Sequence, residues 1–202
     1  MFDQYRALGR VMTMVGLLLT GSHSLAGEPV SIRLAGRTEA EKSTEQQLRR
    51  LMDEYDLSRW TFTNSVLIDE KAIPHSHPVL TLHTRHAKDD ELLLSTYIHE
   101  QLHWFVAQHQ DAAAAAVRDL RALYPKIPVG YPEGSNDEDG NYEHLIVIYL
   151  EYRADQRLVG ELKAREVMNF WANDHYRWLY REILKDPESV GKTLKANALI
   201  PK

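Results

Sequence analysis

"DDELLLSTYIHEQLHWFVAQHQ" occupies residues 89–110, and its reading decides the fold. Asp89 stands where a helix N-cap belongs, and Glu91 falls in the first turn, where the helix dipole favours an acid. Leu92, Leu93, Leu94, Ile98, Leu102, Phe105 and Val106 then follow at helical spacing and cover most of the surface such a helix would have. The stretch therefore predicts a buried helix. Within it, His99-Glu100-x-x-His103 sets two imidazoles four residues apart, on one face and about one turn from each other. That geometry lets both reach a single tetrahedral metal ion. Glu100 lies about 100° round the helix from His99, which disfavours it as a third ligand. It suits a general base that takes a proton from a metal-activated water. A buried His-Glu-His cluster with no partner would be costly, so a partner is expected.

Upstream, "VSIRLAGR" (30–37) alternates as a strand does, and "TEAEKSTEQQLRRLMDEYD" (38–56) reads as a helix capped by Thr38, with Leu48, Leu51, Met52 and Tyr55 as its apolar stripe. "WTFTNSVLID" (60–69) is β-branched and aromatic, "AIPHSHP" (72–78) is a turn, and "VLTLHTR" (79–85) alternates again. Downstream the pattern is helical: 111–124, stopped by Pro125; 141–171, breaking near Gly160; and 173–186, ended by Pro187. The expected fold class is α+β. A small sheet of about three strands in the N-terminal half packs on a mainly helical C-terminal half that carries the HExxH helix. The acidic run "EGSNDEDGN" (133–141) lacks the ligand spacing and distal glutamate of a calcium loop and reads as a solvated loop capping the next helix. His75, His77, His83 and His86 read as surface histidines, of which His83 is the one able to line a cleft.

A catalytic zinc site needs a third protein ligand and one open position. The helix "EHLIVIYLEYRADQRLVG" supplies His144 and Glu151, seven residues and about 10 Å apart along its axis. A regular helix cannot bring both to one ion. The first assignment takes Glu151 as ligand, because Asp155 follows it by four and can accept the free ring N–H of a ligand histidine from the second shell of the site. His144 then faces the pocket as a catalytic donor to an oxyanion or substrate carbonyl. In the reverse assignment His144 is the ligand and Glu151 supports it. His175, Tyr176 and Tyr152 are further candidates for contacting an oxyanion or substrate.

"HEQLH" (99–103) followed by "EYRAD" (151–155) resembles the gluzincin metallopeptidases, whose pattern is HExxH and then a helix with Glu-x-x-x-Asp. The second stretch is closest to the form found in the CaaX-protease-like branch. The resemblance covers two helices, about 90–110 and 141–160. It implies zinc on His99, His103 and Glu151, Glu100 as base, and Asp155 in support. It also implies that the strand before the HExxH helix binds an extended substrate by β-addition. The CaaX-like branch is built on membrane-spanning helices, which this sequence lacks after its first segment, so the resemblance implies a minimal, single-domain zincin-like unit over 27–202.

The first 26 residues read differently. Arg6 and Arg10 precede a short apolar run, "VMTMVGLLL", and then Ser24 and Ala26, the pattern of a secretory signal peptide. The run is too short to span a bilayer comfortably, so no stable membrane insertion is expected after cleavage, and the alternative is an uncleaved membrane anchor. The expected location is a bacterial periplasm or the outside medium. The 202 residues include no cysteine, which excludes disulfides, a thiolate zinc site and a cysteine nucleophile. A net charge of −5 without a basic stripe argues against a nucleic-acid partner. The expectation is a Zn2+-dependent hydrolase acting on a peptide or protein substrate. The alternative is a non-catalytic metal- or ligand-binding domain on the same fold, and a third reading is an interaction protein without metal.

Overall fold

In the computed structural model, which describes residues 29–202, there are three short strands and seven α-helices, the first helix lying between the first two strands and the other six following the third. Strands β1 (Ser31–Leu34), β2 (Ser65–Ile68) and β3 (Leu80–Leu82) form one parallel sheet in the order β1-β2-β3. Ser31 lies opposite Ser65 and Val66 opposite Leu80. The chain is thus α+β, and all described strands fall in its first half. The expected signal segment, 1–26, lies outside the described residues.

A parallel pair needs a crossover, and α1 (Glu39–Glu54) supplies the one between β1 and β2. Its start is fixed by a capping box: Thr38 Oγ1 accepts from Glu41 N, and the Glu41 carboxylate accepts from Thr38 N. Glu41 also accepts from the backbone N–H groups of Gly36 and Glu70, so one buried carboxylate ties the end of β1, the start of α1 and the turn after β2. A 3-10 turn at Ser58–Trp60 shortens the expected second strand from its N-terminal side.

β3 is buried along its whole length, so the alternation of 79–85 does not mark a solvated face. Its outer edge is partly covered. Thr81 exchanges both backbone hydrogen bonds with His75, at 2.8 and 3.1 Å, in an antiparallel bridge. An extended substrate adding to β3 meets an edge the chain itself engages at Thr81.

The HExxH helix is α2 (Asp90–Gln108), capped by the Asp89 side chain on Leu92 N. Then come α3 (Gln110–Leu123), α4 (Glu138–Leu158), α5 (Glu161–Asp174), α6 (Arg177–Lys185) and α7 (Pro187–Ala196). Gly160 separates α4 from α5 at φ 87°, a conformation that favours glycine. Pro187, expected to end the helical pattern, instead begins α7. At the first helical position its missing N–H costs nothing, and Asp186 accepts from Ser189 N at 3.2 Å.

α2 and α4 form the middle of the molecule. On α4, Leu145, Ile146, Val147 and Ile148 are all fully buried, so successive residues facing every direction find protein around them. On α2, Leu94, Ile98 and Leu102 pack into the same cluster as Ile68 and Leu82 of the sheet. Among the described residues no helix is long and apolar enough to cross a membrane.

Candidate metal centre

His99 and His103 project from α2 towards α4, which brings His144 to them. One ring nitrogen from each of the three lies within 4.8 Å of the other two. Ring centroids stand 5.1 Å apart for His99–His103, 5.7 Å for His99–His144 and 4.9 Å for His103–His144. The Nδ1 of every ring is already engaged. His99 Nδ1 is 2.8 Å from Glu151 Oε2, His103 Nδ1 is 2.8 Å from Glu143 Oε1, and His144 Nδ1 is 2.7 Å from the Gly140 carbonyl oxygen. An acceptor at each Nδ1 calls for an N–H there, which leaves Nε2 as the lone-pair nitrogen of all three rings. Burial, then the neighbouring imidazoles, lowers the pKa of His144 to about 3 and that of His99 well below its ordinary value. Both are neutral at pH 7, the form a metal ligand must have. Three imidazole nitrogens suit a divalent metal of intermediate softness, such as zinc, copper, nickel or iron.

The third member of this group is His144, where the first sequence assignment has Glu151. Glu151 takes the supporting role through His99 and is fully buried. Three donors converge on it: His99 Nδ1–H, Ser95 Oγ–H at 2.5 Å and Tyr180 Oη–H at 3.1 Å. Trp171 Nε1–H donates in turn to Ser95 Oγ at 3.0 Å, which directs the Ser95 proton onto Glu151. Burial pushes the Glu151 pKa up to about 7, while the Ser95 and Tyr180 hydrogen bonds pull it down and favour the ionised form. Asp155, expected in that supporting position, touches no histidine. Its Oδ2 is buried without a partner, and burial together with the Glu151 charge pushes its pKa well up. It is a neutral acid behind Glu151, because two carboxylates one helical turn apart in the interior cannot both ionise.

Glu100 is 7% exposed, and burial, above all, pushes its pKa to about 7. No hydrogen bond contributes to that shift, so the carboxyl is not committed to a structural partner. Tyr176 stands over the group, its ring 4.2 Å from that of His144. Its backbone lies in the left-handed region, φ 48° and ψ 35°, a conformation costly for a tyrosine. His175 comes next to it, with rings 5.0 Å apart, and its Nδ1 is 2.9 Å from Asp174 Oδ2. Asp174 is itself clamped by Arg85, which holds its pKa down to about 2. Tyr152 is elsewhere, with its hydroxyl on Glu161 at 2.9 Å. His83 is half-buried and accepts from Arg85 N. His86, read as a surface residue, is buried edge-on to Trp171 at 5.2 Å.

Sequence reasoning missed Glu143, Ser95, Tyr180 and the Gly140 carbonyl as supports. Ser95 stands four residues before His99, on its face, and that spacing was a usable signal. Tyr180 carries no comparable mark, since its part depends on how α6 packs on α4. Compared with protein-family models, with curated proteins and with solved structures, the chain matches none.

Proposed function

We propose that this chain is a zinc-dependent hydrolase that cleaves peptide bonds, with zinc on His99, His103 and His144. The observation that carries the reading is that all three Nδ1 atoms have acceptors, which turns three Nε2 lone pairs inward. Three protein ligands leave the fourth position open, as in catalytic sites. Zinc bound there supplies Lewis acidity that brings water to ionise near neutral pH and polarises a carbonyl. Glu100 accepts the proton of the attacking water and delivers it to the amine nitrogen as the C–N bond breaks. Tyr176 and His175, beside the imidazoles, are the candidate donors to the carbonyl oxygen as it gains charge. Glu151, Glu143 and the Gly140 carbonyl orient the ligand rings.

The peptide substrate and a zincin-like fold rest on the gluzincin resemblance of the HExxH helix. The ligand set does not follow that family: it is three histidines, with the glutamate of "EYRAD" one shell out. Export by the segment 1–26, to a periplasm or the medium, belongs to the same proposal.

Glu100→Gln tests it. The variant should keep its zinc and lose hydrolysis of a quenched fluorescent peptide library by about 10²–10⁴-fold. Undiminished hydrolysis would overturn the mechanism. A zinc-holding wild type that cleaves no peptide would favour the non-catalytic metal-binding domain.

A further inference from the structure

A cavity of about 530 Å3 opens between the Ser58–Trp60 turn, α4, α7 and the last residues of the chain, a volume typical of small-molecule sites. It lies on the far side of α4 from the imidazoles. Tyr149, Arg153 and Arg157 share one stripe of that helix, and His144, Glu151 and Asp155 share the opposite one. The floor is apolar, formed by Trp60, Leu150 and Ile200. The rim carries Arg59, Arg153, Arg157 and Lys195.

Four cations converge here in a chain of net charge −5, so the pocket does not reflect a general excess of positive charge. Among the described residues none of the four is in an ion pair, whereas Arg49, Arg50, Arg85, Arg121 and Arg181 all are. The one acid in the lining, Glu161, is turned to Tyr152 Oη and Gln156 Nε2. Asp56, whose pKa is lowered first by its hydrogen bonds with Ser58 and last by the Arg157 charge, is held on Ser58. Arg59 donates from Nη2 to the Pro201 carbonyl at 2.6 Å, but its Nε is buried with no acceptor. A buried guanidinium N–H without a partner is costly and marks the place of a missing acceptor. Tyr149 Oη stands on the same wall, pressed so close to Gly191 that a Cβ there would lie 2.3 Å from it.

We propose that this cavity binds a small phosphate ester, with the phosphate among the arginines and its organic part on the Trp60–Leu150 floor. A phosphate carries close to two charges and three acceptor oxygens, which suits several cationic donors better than a singly charged carboxylate does. The site is independent of the metal centre and goes beyond the hydrolase reading.

The test is calorimetric titration of the full protein with phenyl phosphate at low salt, with benzoate as the same ring bearing one charge. Phenyl phosphate should bind about tenfold or more tightly than benzoate, and the Arg153→Gln/Arg157→Gln double variant should lose about tenfold. The Lys88→Gln/Lys126→Gln variant removes the same charge outside the cavity and should change affinity by less than roughly twofold. Lys195→Gln gives an independent variant should the arginine pair disturb folding. No binding, equal binding of benzoate, or equal losses in the two double variants would overturn the proposal. Affinity that follows the zinc content instead of Arg153 and Arg157 would do so too, by placing the phosphate on the metal.

Discussion

His86 sits against Trp171 and Phe170, and burial first, then Arg85, lowers its pKa to about 4 from an ordinary 6.5. The unfolded chain therefore takes a proton near pH 6.5 that the folded chain refuses until about pH 4. Between those values the unfolded state binds more protons, so stability falls as pH falls, and His86 adds nothing above pH 6.5. His86→Gln should flatten that decline in urea midpoints of the metal-free protein. A decline as steep as the wild type's would contradict the burial argument. At the same scale, His99, Glu100 and His103 could be read directly from the sequence, because HExxH on a helix fixes its own geometry. The choice between His144 and Glu151 could not. It depends on which turn of α4 faces the Nε2 atoms and which faces Nδ1, and that is set by the register of two helices 40 or more residues apart in the chain. His86 was misread because nothing in "HTRHAKDD" (83–90) announces that α5 will cover it.

Elements whose ends are set by local chemistry were legible. Thr38, Asp89 and Gly160 mark their boundaries within a residue or so. α7 was not, because a proline that ends one helix and a proline that opens the next look alike until Asp186 is seen to cap Ser189. The parallel sheet was legible as strands but not as a topology, since alternation says nothing about direction. Glu41 holds these elements together. Burial raises its pKa, but the backbone N–H groups of Glu70, Gly36 and Thr38 outweigh burial and hold it below 4.5. Its stabilising effect is present above that value and is lost as pH drops through the depressed one. Glu41→Ala leaves these donors without an acceptor and should cost about 2–4 kcal/mol in urea unfolding at pH 7. A loss within about 0.5 kcal/mol, the range of ordinary surface changes, would contradict that role.

The whole molecule is arranged around α4. One stripe gives His144 and Glu151 to the centre shared with α2, and the opposite stripe gives Arg153 and Arg157 to the cationic cavity. α2 and α4 run antiparallel, so His99 meets Glu151 while His103 meets Glu143, and His144 falls between them. On the proposed reading, this packing makes a three-histidine metal site. Zinc per chain, measured by elemental analysis in the wild type and in His144→Ala, Glu151→Gln and His103→Ala, tests it most directly. About one zinc per chain is expected in the wild type. Loss is expected in His103→Ala and His144→Ala, and a site weakened by about 10–100-fold but still loaded at saturating zinc in Glu151→Gln. No zinc in the wild type, or zinc kept by His144→Ala and lost by Glu151→Gln, would contradict that reading.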